Sequence, residues 1–193
     1  MLGLLMMLLA HDPAAHGTAA APRAACALTA EDKAANRRLS FREFDQLPTL
    51  PSNARSLGAA GCYREAAEAT EDYLAHGPLA EPGQRAIMAF HMAQYLASAG
   101  DEREAARVVT LGRRADLPPA YHIDWNSYVD GVRAFLVKDR PALVETTARL
   151  RARKTAGDDM NAAALERLGR CFERPYKDVW TSDACAPPKP ETP

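Results

Sequence analysis

The sequence predicts an all-α domain of stacked antiparallel helical hairpins, about 7–9 helices in all, with hairpins of the length that stacked repeats use. Three observations carry this. A Leu-x-x-x-Gly-x-x-x-x-Ala pattern recurs, once as Leu57, Gly61 and Ala66 and again as Leu96, Gly100 and Ala105, 39 residues later. Apolar residues follow helical spacing in every long segment, and no stretch alternates with the period of two that a strand needs. Apolar residues make up 47% of the 193, yet aromatics only 7%. Alanine supplies much of the apolar content, and it favours helices that approach closely.

Taken in order, Met1 to Ala10 (MLGLLMMLLA) is apolar throughout. It is too short to span a bilayer, which takes about 20 residues, but it suits the core of a secretory signal. It lacks a basic flank, since the first Arg or Lys is Arg23. An incidentally apolar terminus and an intact membrane anchor are the alternatives. Residues 1–25 read as signal peptide or flexible leader, 26–182 as the helical domain, and 183–193 as a Pro-rich disordered tail. Ser40 and Glu43 have capping-box spacing, with Phe41, Phe44 and Leu47 on one side, before Pro48 and Pro51 break the chain.

The repeated pattern has a plain physical reading. Leucine ends one buried stripe, glycine makes the turn, and alanine lets the next helix lie close. A third copy, without glycine, is expected at Phe135-Leu136 followed by Lys138-Asp139-Arg140-Pro141, with Leu136 in the place of Leu96. Pro82 opens a helix running to about Ala99, with Ala86, Ala89, Phe90, Ala93, Leu96 and Ala97 buried. Asp101 caps its partner. Asp124 to Val137 has the cleanest period: Trp125, Tyr128, Val129, Val132, Phe135 and Leu136. Asp139 caps the next helix, through Arg153. Asp158 or Asp159 opens a final long one, followed by a short turn near Tyr176 to Trp180.

With Tyr63 two residues past Gly61, this core resembles the inter-helix turn of tetratricopeptide (TPR) repeats over about Ser52 to Lys154. Gly61-Cys62-Tyr63-Arg64-Glu65-Ala66-Ala67, Asp124-Trp125-Asn126-Ser127-Tyr128-Val129 and Cys171-Phe172-x-x-Pro175-Tyr176 look like an uncharacterised bacterial branch of that family. The period is longer than the family's usual ~34 residues. The resemblance implies a TPR-like α-solenoid that binds peptides or protein segments in a concave groove. It brings no catalytic residues.

The chemistry fits that expectation. The 24 basic and 25 acidic residues nearly cancel, which argues against a nucleic-acid partner or a charged membrane surface. No phosphate loop, H-E-x-x-H or G-x-S-x-G motif occurs, so no enzyme, cofactor or metal site is expected. Two polar stripes on the leading helices form the expected ligand groove: Gln84, His91, Gln94 and Ser98, then Asn126, Asp130 and Arg133. Such side chains hydrogen-bond the backbone or carboxylate of an extended ligand, although solvated faces of amphipathic helices have the same look. His91 has no acid adjacent in sequence; a carboxylate beside it in a closed pocket would favour an enzyme. The basic run Arg149, Arg151, Arg153 and Lys154 ends a helix, where cations suit the dipole.

The four cysteines, Cys26, Cys62, Cys171 and Cys185, allow three pairings and form no C-x-x-C pair. If the chain is exported, Cys26–Cys62 and Cys171–Cys185 would each tie a loose terminal segment to the body; buried free thiols are the other reading. The expected function is a protein- or peptide-binding module of the cell envelope, periplasmic or secreted, with no integral membrane span in the mature chain. The alternative is a structural or accessory subunit of an envelope assembly, without a ligand groove.

Overall fold

The computed structural model describes residues 26–118 and 121–187, and they are all-helical: among them no strand occurs. The first helix, α1 (Ala30–Asn36), was not expected from periodicity. A capping box makes it: the Thr29 hydroxyl accepts from the Asp32 N–H while the Asp32 carboxylate accepts from the Thr29 N–H. The predicted helix at Ser40 forms as a π-helical turn, Arg42–Gln46, and the Ser40–Glu43 pair closes its start. Then come α2 (Ala54–Ala59), α3 (Tyr63–His76), α4 (Pro82–Ser98), α5 (Glu102–Val108) with a 3-10 turn Val109–Gly112, α6 (Trp125–Leu136), α7 (Arg140–Arg153), α8 (Ala156–Arg170) and α9 (Tyr176–Thr181).

Three connections share one hydrogen-bond pattern. The Cys62 N–H reaches back to the Leu57 carbonyl and Gly61 to Gly58; Asp101 reaches Leu96 and Gly100 reaches Ala97; Asp139 reaches Ala134 and Lys138 reaches Phe135. Each is the paired closure that satisfies the last carbonyls of a helix when its next residue is left-handed. That residue is Gly61 (φ +77°), Gly100 (φ +91°) and Lys138 (φ +58°). The third copy is therefore shifted: Ala134, not Leu136, stands where Leu57 and Leu96 do. Lys138 adopts the glycine's conformation with its ammonium 3.0 Å from the Phe172 carbonyl, 3.2 Å from that of Arg174 and 4.0 Å from the Phe135 ring centre. Those contacts offset the strain of a side chain at positive φ. The helix after it is capped by Asp139, as expected. The last long helix starts two residues earlier than Asp158, capped by Thr155.

Two apolar cores meet at α4. One gathers Phe44, Leu57, Ala66, Ala69, Tyr73 and Met88. The other gathers Phe90, Ala93, Ala97, Ala105, Val129, Val132, Phe135, Leu143, Leu165 and Phe172. The helical stripes read from sequence supply most of the second. Cys26–Cys62 and Cys171–Cys185 are disulfide-bonded. The second holds the 3-10 turn Asp183–Cys185, assigned by composition to the tail, against the end of α8, where the Arg170 guanidinium donates to the Cys185 carbonyl. Residues 1–25 and 188–193, which carry the expected leader and most of the expected tail, lie outside the described residues. Among the described residues no helix is long and apolar enough to cross a membrane.

Candidate functional site

A hollow of about 600 Å³ lies between the π-helical turn, α4 and the start of α6, lined by Phe41, Arg42, Gln46, Ile87, His91 and Trp125. Its construction starts with the Pro-interrupted segment after Gln46. Fully buried Asn53 gathers that loop: its amide donates to the carbonyls of Glu43 and Leu47, each at 2.7 Å, and its oxygen caps α2 by accepting from the Ser56 N–H. Phe44 drops from the turn into the first core and stacks on Tyr73, ring centres 4.0 Å apart. Tyr73 in turn donates to the Leu39 carbonyl. This fixes the turn so that the residues on either side of Phe44 face elsewhere.

One of them, Asp45, is fully buried. Its carboxylate oxygens lie 2.9 and 3.0 Å from His91 Nδ1, and the Gln46 amide donates to it as well. The Arg55 guanidinium holds the Asp45 carbonyl at 2.8 Å. A carboxylate only accepts, so Nδ1 carries the hydrogen. The ring is thereby oriented, and Nε2 is the nitrogen left for a ligand, as an acceptor while the imidazole is neutral. Ile87, one turn before His91, and Trp125 form apolar walls. The indole N–H of Trp125 donates to the Gly112 carbonyl at 2.7 Å, and its ring meets Phe90 edge-on at 5.0 Å. Tyr95, one turn beyond His91, is pushed up to about 12 by burial, so it stays a neutral phenol. The six lining residues include no hydroxyl or thiol nucleophile. Among the described residues no cluster of three His, Cys, Asp or Glu side chains could hold a metal ion. The pair therefore orients a hydrogen-bonding imidazole in an open, largely apolar hollow.

The stripe residues are dispersed. Gln84 completes the capping box of α4 with Glu81. Gln94 is half-buried on α4, and burial pushes the nearby Tyr128 phenol up to about 12. Ser98 is half-buried at the last residue of α4. Asn126 pairs doubly with the backbone of Arg114, both bonds 2.8 Å, and so pins the loop before α6. Asp130 takes an ion pair from Arg113. Arg133 is exposed and has no ion-pair partner among the described residues. Only His91 of the seven lines this hollow. Sequence reasoning missed Asp45, Arg42 and Trp125 as site residues. Asp45 is 46 positions from His91, and the signal for it was slight: an acid one residue after an i, i+3 aromatic pair. The three arginines of the basic run are spent on ion pairs, with Arg149 on Glu145, Arg151 on Glu166 and Asp159, and Arg153 on Asp158.

No protein-family model, no curated protein and no solved structure matches this chain.

Proposed function

We propose that this chain is an extracytoplasmic, TPR-like module of stacked helical hairpins that binds an extended peptide or protein segment and catalyses nothing. The observation that carries the reading is the hollow floored by His91 and walled by Phe41, Ile87 and Trp125. It joins apolar area to a few fixed polar groups, which is the makeup of binding sites generally. The recurrence of one turn geometry at Gly61, Gly100 and Lys138 supports a hairpin repeat. Two disulfides point to an oxidising compartment, which supports a periplasmic or secreted location.

A second reading, a structural subunit of an envelope assembly, draws on apolar side chains exposed on α7 and α8, Val144 and Met160, 63% and 68% accessible. Affinity capture from envelope extract separates the two. Residues 26–193 serve as bait beside Ile87→Arg, which fills the hollow, and Val144→Asp, which puts a charge on the exposed apolar part of α7. The binding-module reading expects a partner lost with Ile87→Arg and kept with Val144→Asp. The opposite pattern would replace it with the subunit reading.

A further inference from the structure

Phe41 and Arg42 also border a second hollow of about 330 Å³, whose other walls include Tyr73, Pro78, Leu79 and Gln84. Arg42 thus stands between two hollows, exposed, with no ion-pair or hydrogen-bond partner for its guanidinium among the described residues. The acids that flank it in sequence are occupied. The Glu43 carboxylate accepts from the Ser40 N–H at 2.9 Å and from its hydroxyl at 2.7 Å, and the Ser40 hydroxyl bond holds Glu43 below the usual carboxylate range. Asp45 is buried behind His91 and bound by it and by Gln46. Every other lining group of the first hollow is apolar or neutral-polar save His91, and none is acidic.

We infer that Arg42 reads an acidic side chain of the bound segment, one that carries an apolar side chain on each side of it. This rests on the binding-module reading and names its ligand class. A guanidinium with unoccupied donors favours a carboxylate, which it can take through two parallel hydrogen bonds. A hollow on each side, the first largely apolar and the second mixing Phe41, Pro78 and Leu79 with Ser40 and Gln84, means that the segment continues past the charge both ways: one side chain lies against Ile87 and Trp125, the other against Pro78 and Leu79. The acid is therefore internal to the segment rather than its carboxyl terminus. His91 Nε2, oriented by Asp45, accepts a hydrogen bond from the segment's main chain.

The probe is a library of random 12-residue peptides displayed inside a loop, so that no terminus is free, selected against residues 26–193. The expected result is enrichment of an acidic residue between apolar ones. For a selected peptide made with blocked ends, glutamine in place of its acid weakens binding roughly tenfold, the scale of one charge-assisted contact. Arg42→Gln weakens the acidic peptide as much and leaves the glutamine peptide unchanged, while Arg42→Lys restores part of the loss. Arg42 is exposed and unpaired, so these variants keep the wild-type melting temperature. Selected peptides without an acid, or loss of affinity independent of Arg42, overturn the inference but leave the module reading standing. Binding that demands a free carboxyl terminus also overturns it. A library that yields no binder removes the groove reading itself.

Discussion

The region from α4 onward and the region before it are held together differently. After α4 the helices share one apolar core, from Phe90 through Phe135 and Leu165 to Phe172, while the shared turn geometry runs through both regions, at Gly61 before α4 and at Gly100 and Lys138 after it. Before α4 the core is small, and polar side chains do much of the shaping. Asn53 gathers a loop, Asn36 donates to the Ser52 carbonyl, and Arg37 clamps Asp72 through two nitrogens. The Arg37 guanidinium holds the Asp72 carboxyl below its usual range. The contrast shows where a site can arise in such a fold. The regular helices satisfy their polar groups in helix ladders and caps, while an irregular π-helical turn exposes Arg42 and buries Asp45 within reach of His91. Such turns are frequent at functional sites.

Phe135→Ala, in the middle of the large core and edge-on to Phe172 and Tyr176, is expected to cost about 3–5 kcal/mol and to lower the whole denaturant midpoint. Phe44→Ala instead raises hydrogen exchange first in α1 and α2, because the smaller core loses its stack on Tyr73. If both variants melt the chain as one unit, the two regions are not separable.

Removing Cys26–Cys62 by paired alanines is expected to cost about 4 kcal/mol from loop-closure entropy, against about 3 for the shorter Cys171–Cys185 loop. Chemical denaturation of the two variants ranks them. Next comes Gly100→Val, which puts a β-branched residue at φ +91° and is expected to cost about 1–3 kcal/mol. An unchanged melting temperature would contradict the turn assignment.

Asp158 gives a pH test. Burial opposes its charge, yet the Arg153 guanidinium, the Asp124 N–H and the Thr155 hydroxyl outweigh that and hold its carboxyl below the usual range. Its folded value lies under its unfolded value, so its contribution is complete at neutral pH and is lost as the pH falls below about 3.9. Asp158→Asn is expected to lower stability at neutral pH and to flatten that acid limb, read as melting temperature against pH. The smallest effect is that of Arg133→Glu. On the exposed face of α6 and without an ion-pair partner, it is expected to shift stability by no more than about 0.5 kcal/mol.

The second region was largely legible in the sequence because local signals agree there. Asp101, Asp124 and Asp139 cap α5, α6 and α7, and the periodic stripes of α4 and α6 face the large core. The third turn misled by two residues because Lys138 does the work of a glycine through contacts with Phe172 and Arg174 that are distant in sequence. The first region was less legible. The α1 helix is seven residues long with little apolar period, and its signal is the cap alone. The stripe residues were correctly placed on α4 and α6, but their partners were hidden: Asn126 is consumed by the Arg114 backbone, Asp130 by Arg113 and Gln84 by the capping box of α4. His91 was singled out, whereas its carboxylate came from a turn whose position depends on Asn53 and Tyr73, contacts no local pattern reports.

The most direct test of the account uses its two tryptophans. Trp125 lines the hollow, while Trp180 packs on Tyr176 beneath the Arg167 guanidinium. With both indoles fluorine-labelled, titration of a selected peptide is followed by fluorine NMR. The account predicts that the Trp125 resonance moves to saturation and the Trp180 resonance stays in place. Movement of Trp180 alone, or of neither while the peptide binds, would contradict a ligand site at His91.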